Sequence, residues 1–369
     1  MKPLPAFLAV IVVALHAAFA LPALLAGELV HHYLYVAAPG IRDDLRLGGA
    51  GIVVFDIDRG HKFVRRIETA ASRAAHPENI KGICASGGPG RLWFTTLHRL
   101  YCLDLRTNKP LWDRALPGGC DRLASTPDGK VLYVPSLEGP VWNVVDSLSG
   151  KQMGQIETKS GAHNTVVSLD GSEVYLAGLR SPLLRVFDRQ EGKVVRMVGP
   201  FSGVIRPFTV NSEKTRCYVN VNGLLGFEIG DLKKGEVLER VEVQGVPKGP
   251  TERHGCPSHG VGLSPDEKEV WVCDGHNSMV HVFDVTTSPA RKVASIRLRD
   301  QPGWITFGLN GRYAYPSTGE VVETAGKKIV AALEDEKGRP VHSEKMVEVV
   351  FRDDRPVATG DQFGVGRKR

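Results

Sequence analysis

His254-Gly255-Cys256-Pro257-Ser258-His259-Gly260-Val261-Gly262-Leu263-Ser264-Pro265-Asp266-Glu267-Lys268-Glu269-Val270-Trp271-Val272-Cys273 is the stretch against which the rest of the chain aligns. Val261 and Leu263 alternate with Gly260 and Gly262, Ser264-Pro265-Asp266-Glu267 supplies turn chemistry, and Val270-Trp271-Val272 is a β-branched and aromatic run, so the segment predicts a tight hairpin. The two glycines have the parity opposite to the apolar residues, which suits a strand whose backbone is closely approached from one side. Residues 281–285 predict a third strand and 292–296 a fourth. Four antiparallel strands make one propeller blade.

The pattern recurs along the chain. Second-strand runs carry an aromatic at Tyr35, Trp93, Tyr133, Tyr175, Tyr218 and Trp271, and the last run centres on Ala314 between Tyr313 and Tyr315. Third-strand runs end in an acid at Asp56, Asp104, Asp146, Asp188, Glu228, Asp284 and Glu323. Neighbouring repeats lie about 40 residues apart, the period of a propeller blade. The predicted fold is all-β: a seven-bladed β-propeller of four-stranded antiparallel blades. Wider steps place insertions at 70–79 and 244–258. The first repeat begins at its second strand, 32–36, and the alternating segment 343–351 is the natural donor of the missing strand, since an open edge invites aggregation. The expectation is a single ring over 28–366, closed by a C-terminal strand.

A composition of 42% hydrophobic and 24% charged residues, with 41 Gly and 23 Pro, fits a turn-rich globular chain and excludes a disordered one. Lys2, an apolar run and Ala18-Phe19-Ala20 predict a secretory leader over residues 1–20, cut after Ala20, and an extracytoplasmic protein, periplasmic or secreted. An uncleaved leader would be a membrane anchor, the one route to membrane contact. Removing the leader lowers the formal net charge from +6 by the charge of Lys2. The remaining cations are interspersed with acids, which argues against nucleic-acid binding. The basic end 367–369 reads as a solvated tail. Of six cysteines, Cys217 and Cys273 fall in strand runs as small buried hydrophobes, whereas Cys120 and Cys256 stand near first strands, where a disulfide or a ligand role is open.

Thr126-Pro127-Asp128-Gly129-Lys130-Val131-Leu132-Tyr133-Val134, and Ser264-Pro265-Asp266 with Val270-Trp271-Val272, resemble the S-P-D-G-K-x-[VL]-Y-V signature of YVTN-type β-propellers, relatives of the lactonase-like and amine-dehydrogenase-like seven-bladed propellers. The likeness covers about residues 30–340 and implies the fold; the group holds binding proteins and enzymes alike, so it does not imply one activity. Asn211-Ser212-Glu213-Lys214 in the fifth repeat and Leu309-Asn310-Gly311 in the seventh depart from it.

Aligned hairpins place Lys81, Asp121, His163, Arg206, His259 and Gly303 at one equivalent position, the head of each first strand, which in a propeller faces the mouth of the central channel. So many ionisable groups exceed what packing needs, and the mixed ring is a candidate ligand site. The plainer reading is that Asp121 pairs with Arg206 or Lys81 to hold blades together. Loops on the same face add Arg42, Asp43, Asp44 and Arg46, then Glu138, Arg180 and Asn222, and finally Asp274, His276 and Asn277, while the longest inter-blade loop adds His254 and Cys256. His254, Cys256, His259 and His276 have the element types of a transition-metal site, but H-x-C-x-x-H matches no established metal motif, so no metal is assigned from spacing. Gly87-Gly88-Pro89-Gly90 replaces a hairpin turn and is not a phosphate loop.

These observations point to a monomeric binding scaffold for a small-molecule or protein ligand at the mouth, with Lys81, Asp121, His163, Arg206, His254, His259 and His276 as ligand-binding residues and the cofactor unknown. The alternative is a lactonase-like hydrolase or metal-assisted lyase. In it His163 or His259 is the general base, Asp121 orients it, and Arg206 or Lys81 stabilises developing negative charge. Leu92-Trp93-Phe94-Thr95-Thr96 is similar to the L-W-F-T-E of streptogramin-lyase propellers over that one strand. A redox subunit partnering a quinone or haem protein is a third reading, resting on fold kinship, since no C-x-x-C-H attachment is present.

Overall fold

The computed structural model describes Met1 and residues 29–250 and 253–367. The expected leader and its cleavage point, and Lys368 and Arg369 of the basic tail, lie outside the described residues.

Turn chemistry sets the hairpins. In the third repeat the Asp128 carboxylate accepts from the Lys130 amide at 3.1 Å and the Val131 amide donates to Thr126 Oγ1 at 3.1 Å, while Gly129 supplies the positive φ of 66° that closes the turn. Third strands end as the acids predict: Asp104 accepts from the Arg106 and Thr107 amides, and Asp188 from Gln190 and Glu191. Glu228 is the exception. It lies inside the strand Gly226–Asp231, and Asp231 makes the turn instead, accepting from Lys233 and Lys234.

Seven antiparallel sheets result, one per repeat. Burial falls outward from the first strand: in the second blade Gly82–Ser86 is fully buried, whereas Pro110–Ala115 is exposed or half-buried. First strands therefore line the channel and fourth strands form the rim. Aromatics of the second strands fill the seams between blades, Tyr35 and Phe94 meeting with Ile52, Ile83 and Val347 between the first and second. Each such side chain contributes roughly 1.5–3 kcal/mol by leaving water. Gly260 has the close neighbour its parity predicts: a Cβ there would stand 2.6 Å from Trp304 Cα.

The ring closes where expected. Met346–Arg352 pairs antiparallel with Val30–Ala38, Val347 opposite Tyr35 and Val349 opposite Tyr33, and supplies the first strand of the first blade. A further strand, Arg355–Thr359, extends that sheet to five on its inner side and is absent from the sequence expectation. Beyond it the chain enters the channel from the hairpin side. Gln362 Oε1 accepts from the Ile83 amide and the Gln362 carbonyl from Trp304 Nε1. The chain then turns back, Gly364 O accepting from the Leu263 amide and Thr209 Oγ1, and leaves beside Pro265. Phe363 and Val365 are buried in this plug.

All six cysteines are buried free thiols, so no disulfide forms.

Candidate functional site

Each innermost strand delivers one residue to the mouth at or just before its start. Lys81 precedes Gly82–Ser86, Asp121 precedes Ala124–Ser125, His163 is second in Ala162–Val167, and His259 and Gly303 stand two residues ahead of Val261–Leu263 and Ile305–Phe307. Glu344 stands two residues ahead of Met346–Arg352 and is the seventh member, unrecognised in the repeat alignment. The ring has a gap at Gly303 because its neighbours fill it: a Cβ there would meet His254 Nδ1 at 2.3 Å and Glu344 Oε1 at 2.7 Å.

These residues form a connected network centred on Arg122. Lys81 Nζ lies 3.5 Å from Asp121 Oδ1, and His163 Nδ1 is 2.5 Å from Asp121 Oδ2. A carboxylate only accepts, so His163 Nδ1 carries the proton. Arg122 Nη1 is 3.1 Å from His163 Nε2 and a guanidinium only donates, so Nε2 holds a lone pair and the ring is neutral. Burial, partly offset by Asp121, pulls the His163 pKa below its ordinary value, in agreement with that tautomer. Both of its nitrogens are occupied.

On its other side Arg122 Nη2 donates to Glu344 Oε2 at 2.7 Å, and its guanidinium lies 4.7 Å over the Trp304 ring. Lys345 Nζ also donates to Glu344 Oε2, at 2.9 Å, and to Gly40 O at 2.9 Å. Burial opposes ionisation of Glu344, but Lys345, His254 and Arg122 overcome it and hold its carboxyl well below the usual range. Burial lowers the Lys345 ammonium to about 8, with Glu344 resisting.

His259 differs from His163. Its Nδ1 lies 2.9 Å from Gly303 O and therefore donates, which leaves the Nε2 lone pair without a partner among the described residues. Burial keeps it neutral, its pKa well below the ordinary histidine value. His254 stacks obliquely at 5.5 Å between ring centres, with Nδ1 2.9 Å from Glu344 Oε1 and Nε2 3.3 Å from Gln301 O.

Above this buried layer is a cavity of about 160 Å³. Its walls bring Arg42, Lys81, Arg122, Arg206, Arg253 and Lys345 together against the acids Glu138 and Glu344. Arg42 donates to Arg253 O, and Arg206 to Asn222 Oδ1 and Gly255 O; neither meets a carboxylate among the described residues. Arg206 does not pair with Asp121, which takes Lys81, Arg122 and His163 instead.

Of the other expected residues, His276 is exposed and packs on the Gly249 loop, outside the cavity. Cys256 is buried with its thiol donating to Ser258 O, and burial raises its pKa to about 12, the behaviour of a small apolar side chain. Asp274 is buried against His281 at 3.0 Å and serves the blade. Arg122, Glu344, Lys345 and Trp304 are the site residues that the repeat alignment missed.

The channel is not open below. The Gln362 side chain donates to Glu344 O and floors the site. Comparison with known proteins finds no family model that matches the chain and no curated protein significantly similar to it.

Proposed function

We propose that the mouth binds a small organic anion and that the protein is an exported, monomeric binding scaffold of the YVTN propeller type. The observation that carries this reading is the pair Arg42 and Arg206, two guanidiniums at the rim with no carboxylate partner among the described residues, above a wall already rich in cations. Low-dielectric walls of one sign concentrate ligands of the other, and guanidinium forks fit carboxylates in two-point contact. An engineered cavity of about 150 Å³ holds benzene, so this one suits an anion of roughly six to ten non-hydrogen atoms. The S-P-D-G-K-type hairpins support the YVTN assignment, and residues 1–20 support export.

Calorimetric titration with malonate, succinate and glutarate at low salt tests the reading. Binding to wild type that weakens with salt and is lost in Arg42→Ala/Arg206→Ala is expected. Equal affinities of wild type and double variant for every anion would overturn it.

One observation favours the enzyme alternative, a lactonase-like hydrolase or metal-assisted lyase: His259 Nε2 is an unprotonated acceptor without a partner among the described residues, so His259 and not His163 is the available base. Hydrolysis of small lactones, abolished by His259→Ala, would support it; a protein inert toward them would remove the hydrolase form.

A further inference from the structure

We infer that His254, His259 and Glu344 form a binding site for one divalent transition-metal ion of the zinc class. This goes beyond the anion reading and does not depend on it.

The three residues come from separate parts of the fold: His254 from the inter-blade insertion, His259 from the head of the sixth blade's first strand, and Glu344 from the head of the closing strand. One ligating atom of each lies within 4.8 Å of those of the other two. The hydrogen bonds say which atoms these are. His259 Nδ1 is committed to Gly303 O, so Nε2 is its available donor, and among the described residues nothing else occupies it. His254 Nε2 faces Gln301 O, which leaves Nδ1, 2.9 Å from Glu344 Oε1.

Anchoring the far nitrogen of each imidazole on a backbone carbonyl is how metal-binding histidines are oriented, because it fixes both tautomer and ring plane. The carboxylate is fixed in the same manner, its other oxygen held by Arg122 Nη2 and Lys345 Nζ. The 2.9 Å separation of Nδ1 and Oε1 matches adjacent ligands at about 2.1 Å from a shared ion, which stand about 3 Å apart at a right angle. Two nitrogens and one oxygen select a borderline ion over magnesium or calcium, which take oxygen alone. The two cations on Oε2 reduce affinity without occupying Oε1. Gly303 completes the case: a side chain there would fill the space between His254 and Glu344, as its 2.3 and 2.7 Å approaches require. The remaining coordination positions would face the cavity.

Full-length protein stripped with chelator, exchanged into buffer and titrated with Zn²⁺ alone tests this, with elemental analysis after gel filtration and the visible spectrum of the Co²⁺ form as second readouts. One equivalent is expected in wild type and in His276→Ala, whose histidine is exposed and does not line the cavity. His259→Ala and His254→Ala should each lose roughly 100-fold or more in affinity. Glu344→Gln tests the third ligand, and because it also disturbs Arg122 its fold is checked by circular dichroism. No uptake by wild type at micromolar metal overturns the proposal, as does uptake undiminished in both histidine variants. Anion titration of the stripped protein is read separately, so failure of one reading is distinguishable from failure of the other.

Discussion

The two ends of the channel are built from the same innermost strands, yet they hold opposite chemistry. At the mouth, strand heads present Lys81, Asp121, His163, His259 and Glu344 around Arg122. At the hairpin end a cavity of about 440 Å³ is lined by Ile83, Leu123, Val166, Phe363 and Val365 together with neutral hydroxyls such as Ser125 and Ser168, and the charges among its lining residues, Asp361 and Arg367, neutralise each other at 2.7 Å. The larger cavity is what remains after the C-terminal plug fills part of the channel. Geometry repeats around the ring, and the side chain at the strand head decides which end gathers charge.

The largest effect expected from breaking this division is at the plugged end. Deleting residues after Val341 removes the strand Met346–Arg352, which buries Val347, Val349 and Phe351, and exposes the edge of Val30–Ala38. Aggregation in light scattering is expected; a monomer with unchanged melting would show that the ring closes otherwise. Deleting only the residues after Thr359 keeps the ring but withdraws Phe363 and Val365, at a cost of about 3–6 kcal/mol in denaturant melts.

At the mouth, Arg122→Met takes one of three partners from the buried Glu344 carboxylate, leaving Lys345 and His254, so a loss of about 1–3 kcal/mol is expected, and the losses of Arg122→Met and Glu344→Leu should not add in the double variant. Full additivity of the two substitutions would show that the pair is not coupled.

Acid sensitivity should not be confined to the mouth. His61, buried and bonded to Tyr315 Oη at 3.0 Å, is pulled by burial to about 4. The unfolded chain protonates it near pH 6.5 and the folded one does not until about 4. Stability is therefore flat above about pH 6.5 and falls between those values by roughly 1.4 kcal/mol per pH unit for this group. Urea melts at pH 7, 6 and 5 should show that slope reduced in His61→Gln.

The smallest effects separate the two mouth histidines. His163 has both nitrogens engaged in a buried chain, so His163→Ala should cost ~1–3 kcal/mol by taking one partner each from Asp121 and Arg122. His259→Ala, which gives up one bond to a backbone carbonyl, should cost about 1 kcal/mol or less while weakening ligand binding more. Equal melting losses would remove the distinction between a structural and a ligand-facing histidine.

What the sequence discloses follows from how local each signal is. The hairpins are legible because Thr126, Asp128 and Gly129 act within a few residues, and the ring of strand heads is legible because the blades repeat. Glu344 escapes since the alignment stops at the seventh repeat, although the expected closing strand passes through it; carrying the register into 343–351 would have found it. Arg122 escapes because its counterparts at the next position of neighbouring blades are Gly82 and Asn164, residues with no shared chemistry. Glu228 misleads because Asp231, three residues on, makes the turn within an otherwise regular period. The plug has no periodicity, and only Phe363 and Val365 among glycines hint at burial.

The closing strand also sets a timetable. His32 and Glu348, joined at 2.6 Å in the first blade, are 316 residues apart in the chain. A ribosome adding about 5–20 residues per second separates their synthesis by roughly 15–60 s. Throughout that interval Val30–Ala38 has no partner on one side, and blades two to seven can form before the first is whole. Completion of the first blade thus waits on Met346–Arg352, so a chain stalled before that strand releases six finished blades and one that cannot be finished.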